Sequence, residues 1–148
     1  MRIEIPEFVS VLVERLEKCG EEAYIVGGGL RDSLLGKTPS DYDMTTSALP
    51  EKMLEIFSDF RVIKTGLKHG TLTVLSDGRP VEITTFRIDG GYTDSRHPDS
   101  ITFTSKIEED LSRRDFTVNA MAYRPSVGVV DQFSGRADLD ARVIRAVG

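Results

Sequence analysis

The sequence predicts an α+β fold, a twisted mixed sheet with helices packed on it. Helix-period and strand-like apolar runs interleave along the chain, which calls for both kinds of element around one core. Two strand-like runs, residues 71–75 and 80–86, flank Ser76-Asp77-Gly78-Arg79. An Asp-Gly turn between such runs marks an antiparallel hairpin. A hairpin inside an interleaved pattern excludes a doubly wound parallel sheet.

Taken in order, Ile5, Phe8, Val9, Leu12, Val13 and Leu16 recur at helical spacing and predict a helix over 6–19 ending at Gly20. Cys19, just before that glycine, is expected to be a buried small hydrophobe. Residues 23–26 are a short apolar run, a buried strand. A glycine turn then leads into a helix over 29–36, with Leu30, Leu34 and Leu35 inward and Gly36 closing it. Residues 42–45 form the next strand, and Pro50 starts a helix through Met53, Leu54, Ile56 and Phe57. After the hairpin, residues 89–100 carry glycine, proline and charge with little apolar content, a mobile loop. Helical patterns return at 106–113 and 115–122, followed by Val129-Val130-Asp131 and a helix-like piece from Gly135.

With 148 residues, the chain is long enough for one domain with a core of its own. No internal repeat or linker divides it. No apolar run reaches membrane-span length, and the N-terminus has no signal-like apolar stretch. One cysteine excludes an internal disulfide and a cysteine-based zinc cluster. These features predict a cytosolic protein. A net charge of −5 lacks the basic surplus of a stand-alone nucleic-acid binder, but an acidic metal site also contributes negative charge.

The chemistry concentrates in two stretches. Asp41 and Asp43, in Ser40-Asp41-Tyr42-Asp43-Met44, point to one side if the chain is extended there. Paired carboxylates make a hard-oxygen site suited to Mg²⁺, with substrate phosphates supplying further ligands. The preceding Gly27-Gly28-Gly29-Leu30-Arg31-Asp32 opens a helix, whose free N–H groups and positive dipole end suit those phosphates. This turn lacks the spacing of a dinucleotide fingerprint and the Gly-Lys-Ser/Thr ending of a Walker A loop. Glu82, between Val81 and Ile83, completes a three-carboxylate cluster if its strand lies beside Asp43. Such a cluster holds two metals for phosphoryl transfer, which needs no protein nucleophile.

The second stretch runs from Glu108 to Met121. Arg113 and Arg114 suit bidentate contact with a triphosphate. Asp115 and Asn119, four apart on one face of the expected helix, are candidates to read ribose hydroxyls. His69 and His97 stand far apart without carboxylate partners and are not read as zinc ligands.

Five motifs occur in one order: Gly27-Gly28-Gly29-Leu30-Arg31-Asp32; Asp41-Tyr42-Asp43; Thr65-Gly66-Leu67-Lys68-His69-Gly70-Thr71; Glu82-Ile83-Thr84-Thr85-Phe86-Arg87; and Arg113-Arg114-Asp115-Phe116-Thr117-Val118-Asn119-Ala120-Met121. In them the chain resembles the head domain of class II tRNA nucleotidyltransferases (CCA-adding enzymes) and bacterial poly(A) polymerases, within the polymerase-β-like superfamily. The resemblance implies a head over 1–148, with the family's neck, body and tail domains outside this chain. It implies Asp41 and Asp43 as Mg²⁺ ligands, with Glu82 favoured over Asp115 as third carboxylate. Gly27, Gly28 and Arg31 go to the triphosphate; Arg114, Asp115 and Asn119 go to triphosphate and ribose. Residues 89–100 match the family's head loop, associated with switching between incoming nucleotides. The implied partners are ATP, CTP and the 3′ end of tRNA, without a membrane. The family's Glu-Asp-x-x-Arg base-selecting segment follows the element that here spans Arg142 to Gly148, so it lies outside the chain. A head of a poly(A)- or A-adding enzyme is the alternative within the class. A non-catalytic module that holds Mg-NTP for regulation is the alternative from another class.

Overall fold

The computed structural model describes residues 3–89 and 101–147. Its main sheet has seven strands in the order β3-β4-β5-β2-β1-β8-β9. They are β1 (Ala23–Val26), β2 (Asp43–Thr46), β3 (Arg61–Gly66), β4 (Thr71–Ser76), β5 (Arg79–Thr85), β8 (Ala122–Arg124) and β9 (Gly128–Val130). A second, two-stranded sheet pairs β6 (Arg87–Asp89) with β7 (Ile101–Phe103). The five helices are α1 (Glu7–Lys18), α2 (Gly27–Leu34), α3 (Pro50–Ile56), α4 (Ile107–Ser112) and α5 (Gly135–Asp140). The expected mixed sheet is therefore present. Its neighbours pair antiparallel throughout except β2 and β5, which run parallel.

Two apolar layers hold the sheet. On one face α1 buries Val9, Leu12, Val13 and Leu16, the stripe read from its spacing, in a cluster with Met44, Leu72, Val74, Val81 and Ile83. Each such fully buried side chain contributes about 1.5–3 kcal/mol. Arg15 ties this helix to the end of α3, donating to the Ile56 carbonyl at 3.0 Å and to Asp59 at 2.7 Å. On the other face Ile107 and Leu111 of α4 join Tyr24, Val26, Phe86 and Ala122 in a smaller cluster. It covers the β1 and β8 side.

Several expectations are corrected. The helix expected over 29–36 starts at Gly27 and ends at Leu34; Leu35, its C-cap, is 47% exposed, and Gly36, at φ +78°, then turns the chain. Cys19 is exposed, on the solvent side of the end of α1. The helix expected over 115–122 is instead a 3-10 turn, Thr117–Asn119, followed by β8. The Asp115 carboxylate accepts the Phe116 N–H at 2.7 Å, a local bond that competes with helix formation. The Thr117 N–H goes to the Arg145 carbonyl at 2.9 Å, and β8 pairs with β1, so tertiary pairing overrides the local pattern. β3 had no sequence prediction: Arg61, Ile63, Lys64 and Thr65 are all exposed, and a charged edge strand shows no alternation to read. Residues 90–100, the bulk of the expected loop, lie outside the described residues; β6 and β7 pair on either side of them.

Candidate active site

The parallel pairing of β2 with β5 sets Asp43 directly opposite Glu82. Val81 and Ile83 are fully buried in the α1-side core, so Glu82 between them faces the other way, on the side Asp43 occupies. Asp41 immediately precedes β2, and Thr73 of β4 lies opposite Glu82. Asp41, Asp43 and Glu82, with Tyr42, Thr73 and Pro80, line one open cavity of about 450 Å³.

Asp43 shows the electrostatic cost of this grouping. Its carboxyl is pushed above the ordinary range, first by partial desolvation and then by the charges of Glu82 and Asp41, against the opposing pull of Arg114. A site that disfavours its own negative charge favours an added cation. Among the described residues, no three histidine, cysteine or acidic side chains converge to hold a metal ion. The donors present are hard carboxylate oxygens, and they fit a divalent ion that takes one or two carboxylates and completes its shell from substrate phosphates.

The glycine turn divides its duties. Gly27 has φ +72°, a backbone state suited to glycine, and a Cβ there would stand 3.6 Å from the Asp43 carboxylate. The turn therefore brings the start of α2 against the carboxylates. Gly29 allows close packing instead: a Cβ would lie 2.7 Å from the Asp41 carbonyl oxygen. A Cβ on Gly28 would stand 3.4 Å from the Arg31 guanidinium, so that side chain folds back over the helix start. Arg31 donates to the Asn119 side-chain oxygen at 3.1 Å and pairs with Asp32 at 3.5 Å. Asn119 in turn donates to Asp115 at 3.5 Å. Gly27, Gly28, Arg31, Asn119 and Asp115 thus form a second group beside the carboxylates, although the helix expected to align Asp115 with Asn119 is absent. Asp115 spends its carboxylate on this turn, whereas Glu82 is the residue in register with Asp43.

Asp110 is the residue that sequence reasoning missed. It is fully buried, accepting from Thr45 at 3.2 Å, the Arg87 N–H at 3.0 Å, Arg113 at 3.3 Å and Arg114 at 3.2 Å. The available signal was its spacing, three and four residues before the two arginines. Arg113 and Arg114 are consequently not a solvated surface network; each side chain is 16% exposed and anchored on Asp110. Burial lowers the Arg114 pKa, while Asp110 and Asp43 favour its charge. Its Nε is buried without a hydrogen-bond partner among the described residues. Among the described residues His69 makes no carboxylate contact; its carbonyl accepts from Arg87. His97 lies outside the described residues.

A carboxylate pair in register across a mixed sheet, beside a glycine-opened helix and buried arginines, defines a head of the nucleotidyltransferase kind. The chain belongs to the poly A polymerase head domain family, whose model matches residues 23–145. It is 50% identical over 145 residues to the CCA-adding enzyme of Latilactobacillus sakei, covering 97% of this chain and 36% of that protein. The Bacillus stearothermophilus CCA-adding enzyme in complex with CTP superposes with a TM-score of 0.85 at 43% identity, over 98% of this chain and 34% of that one. The Thermotoga maritima CCA-adding enzyme complexed with tRNA gives a TM-score of 0.75 at 26% identity, over 100% and 37%. The chain thus spans about a third of the length of the curated relatives it matches. No helix among the described residues is long and apolar enough to cross a membrane.

Proposed function

We propose that the chain is the catalytic head of a template-independent RNA nucleotidyltransferase that adds CMP and AMP to the 3′ end of tRNA. The 3′-hydroxyl of the RNA attacks the α-phosphate of CTP or ATP, a new phosphodiester forms, and pyrophosphate leaves with the broken α–β bond. The observation that carries this reading is the Asp43–Glu82 register, which places two carboxylates beside the glycine turn. Likeness to CCA-adding enzymes over nearly the whole chain supports it, as do relatives in complex with CTP and with tRNA.

In this proposal Asp41 and Asp43 hold Mg²⁺, with Glu82 as the third carboxylate on the acceptor side. When bound, the ion neutralises phosphate charge and makes the attacking hydroxyl more acidic. Gly27 and Gly28 offer backbone N–H groups to the triphosphate, and Arg31 and Arg114 add positive charge. Arg113, anchored with Arg114 on Asp110, reinforces that charge. Asn119 and Asp115 orient the ribose. Residues 1–148 act as the head. Base selection and the grip on tRNA are assigned to the neck, body and tail of such enzymes, and the compartment that fits is the cytoplasm.

The test is calorimetric titration of the chain with CTP and with ATP, with and without Mg²⁺, beside an Asp41→Asn/Asp43→Asn variant. Mg²⁺-dependent binding of both nucleotides, lost in the variant, is the expected result. Equal binding by the variant refutes the site. A radiolabel-incorporation assay with tRNA, on protein of the relatives' full length, then separates transferase from sensor: binding without incorporation supports the regulatory module.

A further inference from the structure

The Asn119 side chain is the partner of Arg31, yet its turn has no helix to hold it. The support comes from the C-terminal segment. Thr117, buried at the start of the turn, donates its hydroxyl to Asp138 of α5 at 2.6 Å, a bond buried from solvent. Arg145 binds the same carboxylate through Nε at 3.2 Å. Its carbonyl accepts the Thr117 N–H at 2.9 Å, and the Val147 N–H reaches the Asp115 carbonyl at 3.0 Å. Phe116 and Ala146 form an isolated antiparallel bridge between these two bonds. On the other side Gly135 presses its backbone onto the turn, since any Cβ there would run into the Thr117 carbonyl and stand 3.2 Å from Met121.

From these contacts we propose that Asp138 is a positioning residue. Through Thr117 and Arg145 it fixes the 115–119 turn so that Asn119 meets Arg31 and faces the incoming nucleotide. The proposal rests on the nucleotide site described above and deepens it by naming what holds that site. Asp138 touches none of the residues assigned to substrate. It acts on them through one hydroxyl and one short backbone pairing. An ion-anchored bond of this kind is strong and short, so its loss transmits directly to the turn. Thr117 is also the only side chain that joins α5 to the turn by a hydrogen bond among the described residues.

The test compares Thr117→Val, which keeps the shape and removes the hydroxyl, with Thr117→Ser, which keeps the hydroxyl. Asp138→Asn joins them, and Asp140→Asn on the exposed end of the same helix serves as control. Mg-CTP affinity is measured by calorimetry, and the Asn119 side-chain amide is followed by NMR in the nucleotide-free chain. Thr117→Val and Asp138→Asn are expected to weaken CTP binding about tenfold, with Thr117→Ser and Asp140→Asn within about twofold of the parent. The Asn119 amide should move in the first two and stay put in the last two. A lower melting temperature with unchanged CTP affinity and an unmoved Asn119 amide overturns the proposal, because Asp138 would then serve stability alone. If the parent chain binds no CTP, the site assignment fails separately. The Asn119 amide then decides whether Asp138 holds the turn, and no movement refutes it.

Discussion

Alanine substitution at each of the three consecutive glycines should give three different outcomes. At Gly29 the added Cβ would sit 2.7 Å from the Asp41 carbonyl oxygen, short of ordinary contact by about 0.7 Å. The obstacle is backbone, so α2 must move away from the residues leading into β2. Overpacking of this kind costs about 1–3 kcal/mol and lowers the melting temperature of a domain this size by several degrees. A displacement approaching 1 Å at a reacting centre also costs up to about a hundredfold in rate. Gly27→Ala meets no backbone, with Asp43 at 3.6 Å, but must hold φ +72°, a strain of about 1–2 kcal/mol. Gly28→Ala meets only the far end of the Arg31 side chain at 3.4 Å and gains helix propensity, so its stability stays within about 0.5 kcal/mol of the parent. Thermal melts followed by Mg-CTP titration of each folded variant provide the assay. Gly29→Ala as stable as Gly28→Ala would refute the close-packing argument.

Further outcomes follow from the charges. In metal-free protein, Asp43→Asn should be more stable than the parent near pH 7. The folded parent holds the Asp43 proton more tightly than the unfolded chain does, so its stability falls as pH rises from about 3.8 through the raised folded value. The advantage should therefore shrink toward pH 3.8 in melts run with a chelator, and an advantage that grows on acidification contradicts the assignment. Asp110→Ala strands two largely buried guanidinium groups and should cost about 3–5 kcal/mol in denaturant unfolding; a loss below 1 kcal/mol would show that Asp110 does not anchor them. In an incorporation assay on protein of full length, Glu82→Gln should lower turnover by at least about a hundredfold while leaving CTP binding nearly intact. An equal loss of binding would place Glu82 on the nucleotide rather than on the reacting centre.

Local patterns made much of this legible. α1 could be read because its stripe is regular, and the β4–β5 hairpin because Asp77-Gly78 takes the positive φ that such a turn demands. Asp41 and Asp43 stood out by spacing alone. The place of Glu82 could only be stated conditionally, because a parallel pairing between strands separated by α3, β3 and β4 leaves no local trace. The 115–122 segment was misread for a related reason: its helical periodicity is real, but Thr117 and Ala122 find their partners in the C-terminal segment and β1. Asp110 was passed over as one acid among three, since its neighbours do not reveal that it alone is buried.

The β2–β5 pairing carries one more consequence. Every other neighbouring pair in the large sheet is antiparallel, whereas this parallel junction closes a long excursion of the chain. Non-local closures of this type form slowly, because ordering entropy is lost before contacts compensate. Asp43 and Glu82 come together only at that closure. Cation affinity should then emerge late during refolding, after the local β4–β5 hairpin, so that a chain arrested partway is blind to metal and the ion reports on finished assembly.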